Sequence, residues 1–291
     1  MKNKINVVLD TDTYNEIDDQ FALSYLVRSN DLINLEAIYA APFTNSRSIN
    51  AKDGMEKSFE EIARLLKKLN KNNIPYYKGA TYYLSDLYKP EENDAVLDLL
   101  KKAKEATPDN PLYIIAIGAI TNIAFACLIN KELMKKNCKV IWLGGHHPAW
   151  PHNNEFNLMG DIAAVKTVFD SEINLTLVPC MGVSSHLLSS REELSTYMDL
   201  NDPLCNFLYQ RFSEYYPEGM GTKEIWDIAA VAILIVPKCY ESIKINCPRI
   251  AIDGSYIFDP RRHLIEMVYH LNRDMIFRDL FNKLSQEKKY L

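Results

Sequence analysis

Residues 5–27 of the chain read INVVLDTDTYNEIDDQFALSYLV. The stretch opens with an apolar run at 5–9, continues with five carboxylates in the ten residues from Asp10, and ends with apolar residues at helical spacing between Phe21 and Val27. An apolar run without alternation predicts a strand that is buried on both faces, and the later spacing predicts a helix. A buried strand that leads straight into a helix is the unit from which parallel α/β sheets are built.

The same alternation of apolar run and helical pattern continues through most of the chain. Further apolar runs lie at 35–39, 113–117, 140–143 and 175–178, with helical patterns between them. This order predicts an α/β fold with a doubly wound, mainly parallel sheet and helices on both faces. Ligands of such folds bind beyond the carboxyl ends of the strands, so functional residues are expected directly after the apolar runs.

The composition fits one globular domain with ample material for a core. The 291 residues are 47% hydrophobic and 24% charged. We therefore predict a single domain over residues 1–291, in which the charged, Pro/Gly-punctuated segment at about 187–221 forms a helical insertion or lid. The formal net charge of -5 leaves no broad basic face, which argues against nucleic acid and anionic membranes as partners. No stretch of the sequence predicts a membrane span.

Six cysteines are scattered along the chain without a CxxC motif or a close Cys/His pair. This pattern is typical of reduced thiols rather than of a disulfide framework or a zinc site. The N-terminal apolar run is also too short for the hydrophobic region of a signal peptide. We therefore expect a cytoplasmic protein.

The acidic residues after the first run form the most informative motif. Asp10 and Asp12 are two apart on an extended chain and point the same way, while Asp18 and Asp19 precede the helical pattern. Helix capping could explain one of Asp18 and Asp19, but it leaves the first pair unexplained. Carboxylates packed this closely need solvent or a cation, and hard oxygen ligands favour Ca²⁺ or Mg²⁺ over zinc. The motif therefore predicts a metal or catalytic site.

Two enzyme families begin with a similar motif. The string LDTDT resembles the haloacid-dehalogenase phosphatases, in which the first aspartate, here Asp10, would be the nucleophile of a Mg²⁺-dependent reaction. The fuller string, LDTD followed by IDDQFAL, resembles the opening of the inosine-uridine-preferring nucleoside hydrolases, in which DxD and Asp-Asp build a calcium site.

Three later segments resemble the nucleoside hydrolases in the family's own order. They are IIAIGAITNIAFA at 114–126, GGHHPAWPHNNEFNLMGDIAAVKTVF at 144–169, and EIWDIAAVAILIVP at 224–237. In the last segment Asp227 is the one charged side chain of a long apolar run, and a buried lone carboxylate is costly without a partner. The phosphatase alternative lacks a convincing later acidic motif, so the chain is identified as a member of the hydrolase family.

The resemblance implies an N-glycosidase that cleaves ribonucleosides with a metal-activated water and releases ribose and free base. It implies Ca²⁺ as cofactor, with Asp12, Asp19, Asp227 and the carbonyl of Ile117 as ligands. Asp12 would also be the general base, and Asp10 would support the cluster from behind. The residues implied to bind ribose hydroxyls are Asp18, Asn157 and Glu155. A homodimer or homotetramer follows by the same analogy.

The sequence departs from the family pattern at the residue that assists departure of the base. Many members carry a general-acid histidine just before the closing aspartate, whereas this chain has Trp226. A purine-specific branch stacks a tryptophan there on the base, so Trp226 is predicted to bind and activate a purine base. Tyr82, Tyr83 and Trp150 are candidates for a second stacking partner.

Three histidines, His146, His147 and His152, could supply the missing proton donor, since they follow a predicted strand end. The turn between the two aspartate pairs is longer than in the family, and Asn15 and Glu16 add polar groups there. Asn45 is a candidate for the family's sugar-side asparagine. These departures leave open a third possibility, a nucleoside- or ribose-binding protein without turnover.

Overall fold

The computed structural model describes residues 4–216, 218 and 220–285. Its strands are β1 Ile5–Thr11, β2 Ile33–Ala40, β3 Tyr76–Lys78, β4 Leu112–Ala116, β5 Cys138–Leu143, β6 Asn174–Val178, β7 Leu188–Ser190, β8 Thr222–Glu224, β9 Tyr240–Asn246, β10 Arg249–Ile250, β11 Tyr256–Ile257 and β12 Leu264–Leu271. Its α-helices are α1 Asp18–Arg28, α2 Ala51–Lys68, α3 Leu84–Leu87, α4 Asp94–Glu105, α5 Thr121–Asn137, α6 Phe156–Gly160, α7 Ile162–Asp170, α8 Arg191–Tyr197, α9 Pro203–Ser213, α10 Ile228–Ile235 and α11 Arg273–Leu284.

The main sheet has eight strands in the order β3-β2-β1-β4-β5-β6-β12-β9. All neighbouring pairs are parallel except the last, in which β9 runs antiparallel to β12. The chain winds from β1 outward to β3 and then returns to the other side of β1 at β4, so the topological switch lies between β1 and β4. A ligand cleft is expected there in a doubly wound fold, and Asp10 pairs with Ala116 at this point.

Helices cover both faces of the sheet, as the sequence predicted. Alternate residues of β1 point to opposite sides, so that Val7 and Leu9 belong to one apolar core and Val8 to the other. The first core includes residues of α1, α2, α10 and α11, and the second includes residues of α4, α5 and α7. The five apolar runs that predicted strands correspond to β1, β2, β4, β5 and β6.

The strands β9 and β12 have no counterpart among the predicted elements. Most residues of β9 are exposed or half-buried, because it is the antiparallel edge of the sheet. An edge strand with one solvated face carries charged residues such as Glu241 and Lys244, which interrupt the apolar run that revealed the central strands.

The segment at 187–221 contains β7, α8 and α9. β7 pairs antiparallel with β8, which directly follows the segment. Leu208 and Phe212 of α9 are fully buried in the first apolar core, so this helix packs against the body of the fold. Pro217 and Gly219, which also belong to the predicted lid, lie outside the described residues. The role of the segment as an insertion or lid stays a prediction.

All six cysteines are buried and free. They are Cys127, Cys138, Cys180, Cys205, Cys239 and Cys247. Within the described ranges, no helix combines the length and the apolar character that a bilayer crossing requires.

Candidate active site

A cavity of about 530 Å³ opens at the carboxyl ends of the central strands. Eight of the nine site residues that the sequence singled out line it, and the ninth, Asp10, lies outside the lining. The eight are Asp12, Asp18, Asp19, Ile117, Glu155, Asn157, Trp226 and Asp227. Segments more than 200 positions apart thus converge, since β1 and α1 carry the first aspartates and α10 begins beside the last.

Three carboxylates in this cavity are packed closely enough to share one cation. Asp18, Asp19 and Asp227 each offer an oxygen atom, and these three atoms lie within 4.8 Å of one another. Asp12 lines the same cavity, and its charge raises the pKa of Asp227. The structure therefore brings Asp12, Asp19 and Asp227, the predicted metal ligands, into one cavity with Asp18, which the sequence assigned to ribose. The three oxygen atoms that lie closest together include one of Asp18 and none of Asp12.

Helix capping does not account for these aspartates. The residue at the N-cap position of α1 is Ile17, which provides no capping side chain. Asp227 occupies the N-cap position of α10, yet in the described structure its side chain accepts no capping hydrogen bond. The carboxylate of Asp227 instead lies in the acidic cluster.

Asp12 is the least satisfied of the acids. Its side chain is 1% exposed, and neither Oδ1 nor Oδ2 has a hydrogen-bond partner among the described residues. Gly118 backs it so closely that a Cβ atom added there would lie 2.9 Å from Oδ1. A glycine at this position therefore leaves space for the carboxylate that any side chain would take.

The aspartates hold their protons strongly without a compensating cation. Burial, followed by the charges of Asp19 and Asp18, raises the pKa of Asp12 well above its usual range. Burial and the charge of Asp18 do the same for Asp19 and Asp227. Burial, with the charge of Glu16, raises the pKa of Asp18 to about 7. A cavity that crowds so many acids is stable in its ionised form only with added positive charge.

The donor set fits a hard divalent cation. It consists of carboxylate oxygens with unpartnered buried atoms on Asp12, together with the backbone carbonyl of Ile117 on the cavity wall. Such all-oxygen sites suit Ca²⁺. This supports a metal-dependent site without identifying the ion.

Asn157 and Glu155 have well-defined partners. The side-chain amide of Asn157 donates to the carbonyl oxygens of Ile117 and Leu143, both at 3.0 Å. Glu155 caps α6, and its carboxylate accepts from the backbone N–H groups of Gly145, Asn157 and Leu158 at 2.7–2.8 Å. The sequence did not indicate this capping role, which fixes the loop after β5 to the start of α6.

Asp10 lies behind the cluster and is fully buried. Its Oδ2 accepts a 2.7 Å hydrogen bond from the amide of Asn122, whose own Oδ1 accepts from the backbone N–H of Ala80. Burial raises the pKa of Asp10 to about 7 although this hydrogen bond lowers it. Asn122, in the first turn of α5, therefore holds Asp10 in place and does not cap the helix.

Aromatic and apolar groups form another part of the wall. Trp226 lines the cavity together with Phe156 and Met181, neither of which the sequence singled out. Phe156 lies inside the EFN string, but nothing in the pattern showed which way its ring points. Tyr82 and Tyr83, two candidates for the second stacking partner, are not among the described residues that line the cavity. Tyr82 packs on Phe125, and the hydroxyl of Tyr83 donates to Thr44.

The long turn between the aspartate pairs is held from two sides. Asn45 donates a 2.6 Å hydrogen bond to Oδ1 of Asn15, and both residues line the cavity. Lys223 of β8 donates at 2.7 Å to Glu16, which lines the cavity as well. Lys223 was missed because a lone lysine in a short strand carries no motif.

Of the three candidate histidines, His146 alone lines this cavity within the described part of the chain. His147 and His152 use their Nδ1 atoms to accept backbone N–H groups of their own loop, from Ala149 and Asn154. The ring of Trp150 packs edge-on against His146 and is 38% exposed.

Comparisons with known proteins agree with this geometry. A model of the family described as inosine-uridine preferring nucleoside hydrolase matches residues 7–278. The pyrimidine-specific ribonucleoside hydrolase RihA of Photobacterium profundum is 24% identical over 250 residues, which cover 75% of this chain and 79% of that protein. RihA of Escherichia coli O1:K1 is 22% identical over 247 residues, covering 74% and 78%.

Solved structures share the fold. A purine-preferring ribonucleoside hydrolase from Gardnerella vaginalis superposes with a TM-score of 0.76 at 19% identity, covering 98% of this chain and 99% of that one. An inosine-guanosine nucleoside hydrolase gives the same TM-score at 18% identity, with 97% and 99% coverage. The family model spans nearly the whole chain, including every acid of the cavity. The chain therefore belongs to the inosine-uridine preferring nucleoside hydrolase family, as the sequence predicted, and is an enzyme of the N-glycosidase class.

Proposed function

We propose that the protein hydrolyses the N-glycosidic bond of ribonucleosides with the help of a bound Ca²⁺ ion and releases ribose and free base. The observation that carries the proposal is the unpartnered, buried carboxylate of Asp12 in the cavity it shares with Asp18, Asp19 and Asp227. A carboxylate in that state is poised to bind a cation and to accept a proton.

The metal ligands proposed are Asp12, Asp19, Asp227 and the carbonyl oxygen of Ile117. When bound, the ion would lower the pKa of a water molecule and orient the sugar hydroxyls. The Asn157 amide already donates to the Ile117 carbonyl, and a carbonyl oxygen has a second lone pair for another partner.

Asp12 is proposed as the general base. In the hydrolytic step the oxygen of water forms a bond to C1′ of ribose, and Asp12 accepts the proton that this oxygen loses. The C1′–N bond breaks, and its electron pair leaves with the base. Positioning the sugar, the water and Asp12 together removes much of the entropic cost of this step.

Ribose binding is assigned to Asp18, Asn157 and Glu155. Both amide hydrogens of Asn157 are used by backbone carbonyls, so a hydroxyl would meet its Oδ1 atom. The carboxylate of Glu155 accepts three backbone N–H groups and also has a hydrogen bond with the Cys180 thiol, so a ribose hydroxyl would share or replace the thiol contact. Asp18, which lies in the acidic cluster, would accept a hydrogen bond from another ribose hydroxyl.

Purine nucleosides are the proposed substrates. Trp226 and Phe156 both line the cavity and bring two aromatic side chains to it. A two-ring base offers more stacking area to such faces than a pyrimidine does. The similar proteins differ in base preference by name: the RihA proteins are named pyrimidine-specific, and the Gardnerella enzyme is named purine-preferring.

Release of ribose from purified protein tests the proposal. Inosine, guanosine, adenosine, uridine and cytidine are each incubated with added Ca²⁺ or with a chelator, and reducing sugar is measured. Activity that requires the metal and is highest on a purine nucleoside supports the proposal. Activity that survives chelation defeats the metal-dependent mechanism.

Two other outcomes correspond to the competing functions. Tight nucleoside binding without ribose release would indicate a binding protein. Turnover of phosphomonoesters alone would indicate a phosphatase, but that reaction needs Asp10 to reach substrate, and Asp10 is fully buried outside the cavity lining.

A cytoplasmic location and a homodimer or homotetramer complete the proposal. Six free, buried thiols are consistent with a reducing compartment. The oligomer rests on analogy with the family, and sedimentation of the purified protein tests it.

A further inference from the structure

The acidic part of the cavity is rich in hydrogen-bond acceptors. Four aspartates and the Ile117 carbonyl face it, whereas the hydrogens of the Asn157 amide are already used. A heterocyclic base that leaves with an electron pair needs the opposite, a donor directed at its ring nitrogen or carbonyl oxygen. His146 is 6% exposed and lies on the cavity wall.

The backbone beside His146 is fixed by a ladder between the loops that follow β5 and β6. Cys180 donates to the carbonyl of Gly145 at 2.8 Å, and His147 donates to that of Met181 at 3.0 Å. The backbone N–H of His146 donates to Oδ1 of Asn153 at 2.6 Å. The loop therefore holds the residue in one place rather than letting it swing.

The ring itself is held on two edges and by one hydrogen bond. The rings of His152 and Trp150 pack edge-on, with centroids 5.5 and 6.3 Å from that of His146. The backbone N–H of Met181 donates to Nδ1 of His146 at 3.3 Å. Since Nδ1 accepts, the single proton of the neutral imidazole is on Nε2.

The ring is neutral near pH 7. Burial, followed by the charge of His152, lowers the pKa of His146. A backbone hydrogen bond with Gly145 partly offsets this lowering of the pKa. His146 lines the same cavity as Trp226, the residue proposed to stack on the base. Among the described residues, the hydrogen bond of regular geometry to the ring is the one that Nδ1 accepts, so the Nε2–H group is within reach of a ligand.

We propose that the Nε2–H group of His146 donates a hydrogen bond to the departing base and thereby stabilises the charge that develops on it, in addition to the stacking proposed for Trp226. The inference rests on the proposed function, because the acids fix where ribose binds and hence which end of the cavity the base occupies. His146 keeps its proton throughout. The C1′–N electron pair stays on the base, whose negative charge the N–H group stabilises, and the base takes its proton from solvent after release.

The test compares two substrates whose leaving groups differ in how much they need a hydrogen-bond donor. Inosine has a poor leaving group, whereas the nitrophenolate of p-nitrophenyl β-D-ribofuranoside departs readily without one. The variants are His146→Phe, which keeps a ring but removes the donor, and His146→Gln, which can restore an N–H group. His147→Phe is the matched control, since His147 neighbours His146 but lies off the cavity wall.

We expect His146→Phe to lower kcat/KM for inosine by about 10²-fold, the usual effect of losing one preorganised donor, and to leave that for the nitrophenyl riboside within about threefold. His146→Gln should recover part of the loss, and His147→Phe should behave as wild type. If His146→Phe does not fold, as judged by circular dichroism, His146→Leu, which also lacks a donor, takes its place in the comparison with His146→Gln.

Equal losses on both substrates would overturn the assignment, because they would show a structural or sugar-side role. An unchanged inosine rate in His146→Phe would overturn it as well. Failure of the proposed function is distinct: in that case wild-type protein with Ca²⁺ releases ribose from no nucleoside, whatever the variants do.

Discussion

Asp12 and Asp161 are both aspartates that the fold removes from solvent, with exposures of 1% and 0%. Asp161 begins α7, and its two oxygens accept hydrogen bonds from the backbone N–H groups of Leu84 and Ala164 and from the hydroxyl of Thr121, at 2.7–3.1 Å. Neither oxygen of Asp12 has such a partner among the residues described.

The difference shows what separates a structural buried acid from a functional one. Burial alone does not, because both residues are equally buried. The two aspartates differ in their hydrogen bonds. Those of Asp161 join α3, α5 and α7 into one layer, whereas in the described structure both oxygen atoms of Asp12 remain free to bind a ligand. The two regions should therefore respond oppositely to the same substitution.

Asp12→Asn should give the largest effect, and it should be on activity. Removing the proposed base and metal ligand is expected to lower kcat/KM for nucleosides by roughly 10²–10⁴-fold. The melting temperature in chelator should not fall, since the substitution removes a charge that lacks a partner. Ribose release and thermal unfolding, measured on the same preparation, check both parts. Retained activity would remove the distinction between the two aspartates.

Asp161→Asn should act on stability instead. An amide can accept on one side only, so at least one buried donor loses its partner, and the free energy of unfolding should fall by about 3 kcal/mol. Urea unfolding measures the loss. Activity per folded molecule should stay within about threefold of wild type, and a collapse of kcat at full folding would show that Asp161 belongs to the site.

Calcium should stabilise the protein more at pH 8 than at pH 5. Burial and neighbouring charges raise the pKa values of the proposed ligands Asp12, Asp19 and Asp227 well above their usual range. They raise that of the adjacent Asp18 to about 7 from an unfolded value of 3.8, so the stability that Asp18 contributes is complete below about pH 4 and is lost as the pH rises through about 7. Calcium binds the ionised form, so at 100-fold excess over Kd it should add about 2.7 kcal/mol at pH 8.

Thermal unfolding with Ca²⁺ or with chelator at the two pH values measures this difference. Mg²⁺ at the same concentrations is the control for the identity of the ion. A shift in melting temperature that is equal at both pH values, or larger at pH 5, would contradict the proposed binding to unprotonated aspartates.

The smallest effect is expected from the ion pair between Lys223 and Glu16. It connects β8 with the turn that leads to Asp18, and the charge of Lys223 lowers the pKa of Asp18 against the effect of burial. Because the side chain of Glu16 is 44% exposed, a double-mutant cycle of Lys223→Met and Glu16→Gln should give a coupling of at most about 1 kcal/mol.

The functional consequence should be a rise in KM of a few fold with little change in kcat, since Asp18 loses a neighbour that positions it. Lys135→Met, which breaks the surface pair with Glu172, is the matched control and should leave KM unchanged. A large drop in kcat in Lys223→Met would place this lysine in the chemistry itself.

Much of the fold was predictable because the central strands are buried on both faces. Their apolar runs stand out in the sequence, and the doubly wound, mainly parallel sheet with helices on both faces is confirmed. The edge strand β9 and its neighbour β12 were not predicted, because one solvated face mixes charged residues into the pattern.

For the site, the family resemblance located the acids, and β1, α1 and α10 bring them into one cavity. The sequence could not show which way side chains point in loops, so Phe156, Met181 and Lys223 were missed. It also could not show that Glu155 caps α6 or that Asp161 holds three helices together, because capping depends on tertiary contacts. The assigned roles of the site residues stay predictions.

Because all six thiols are buried, their reactivity towards an alkylating reagent reports on unfolding of the native chain. Five of the six are at most 2% exposed, so an alkylating reagent reaches their sulfur atoms only after an element opens, and the order in which cysteines become labelled maps the opening of the fold. Cys180 lines the cavity and Cys205 lies in α9, so a saturating ligand should protect the first selectively if breathing of the cavity exposes it. Mass spectrometry of the labelled peptides would then rank the ease of opening around the ligand against that of distant helices.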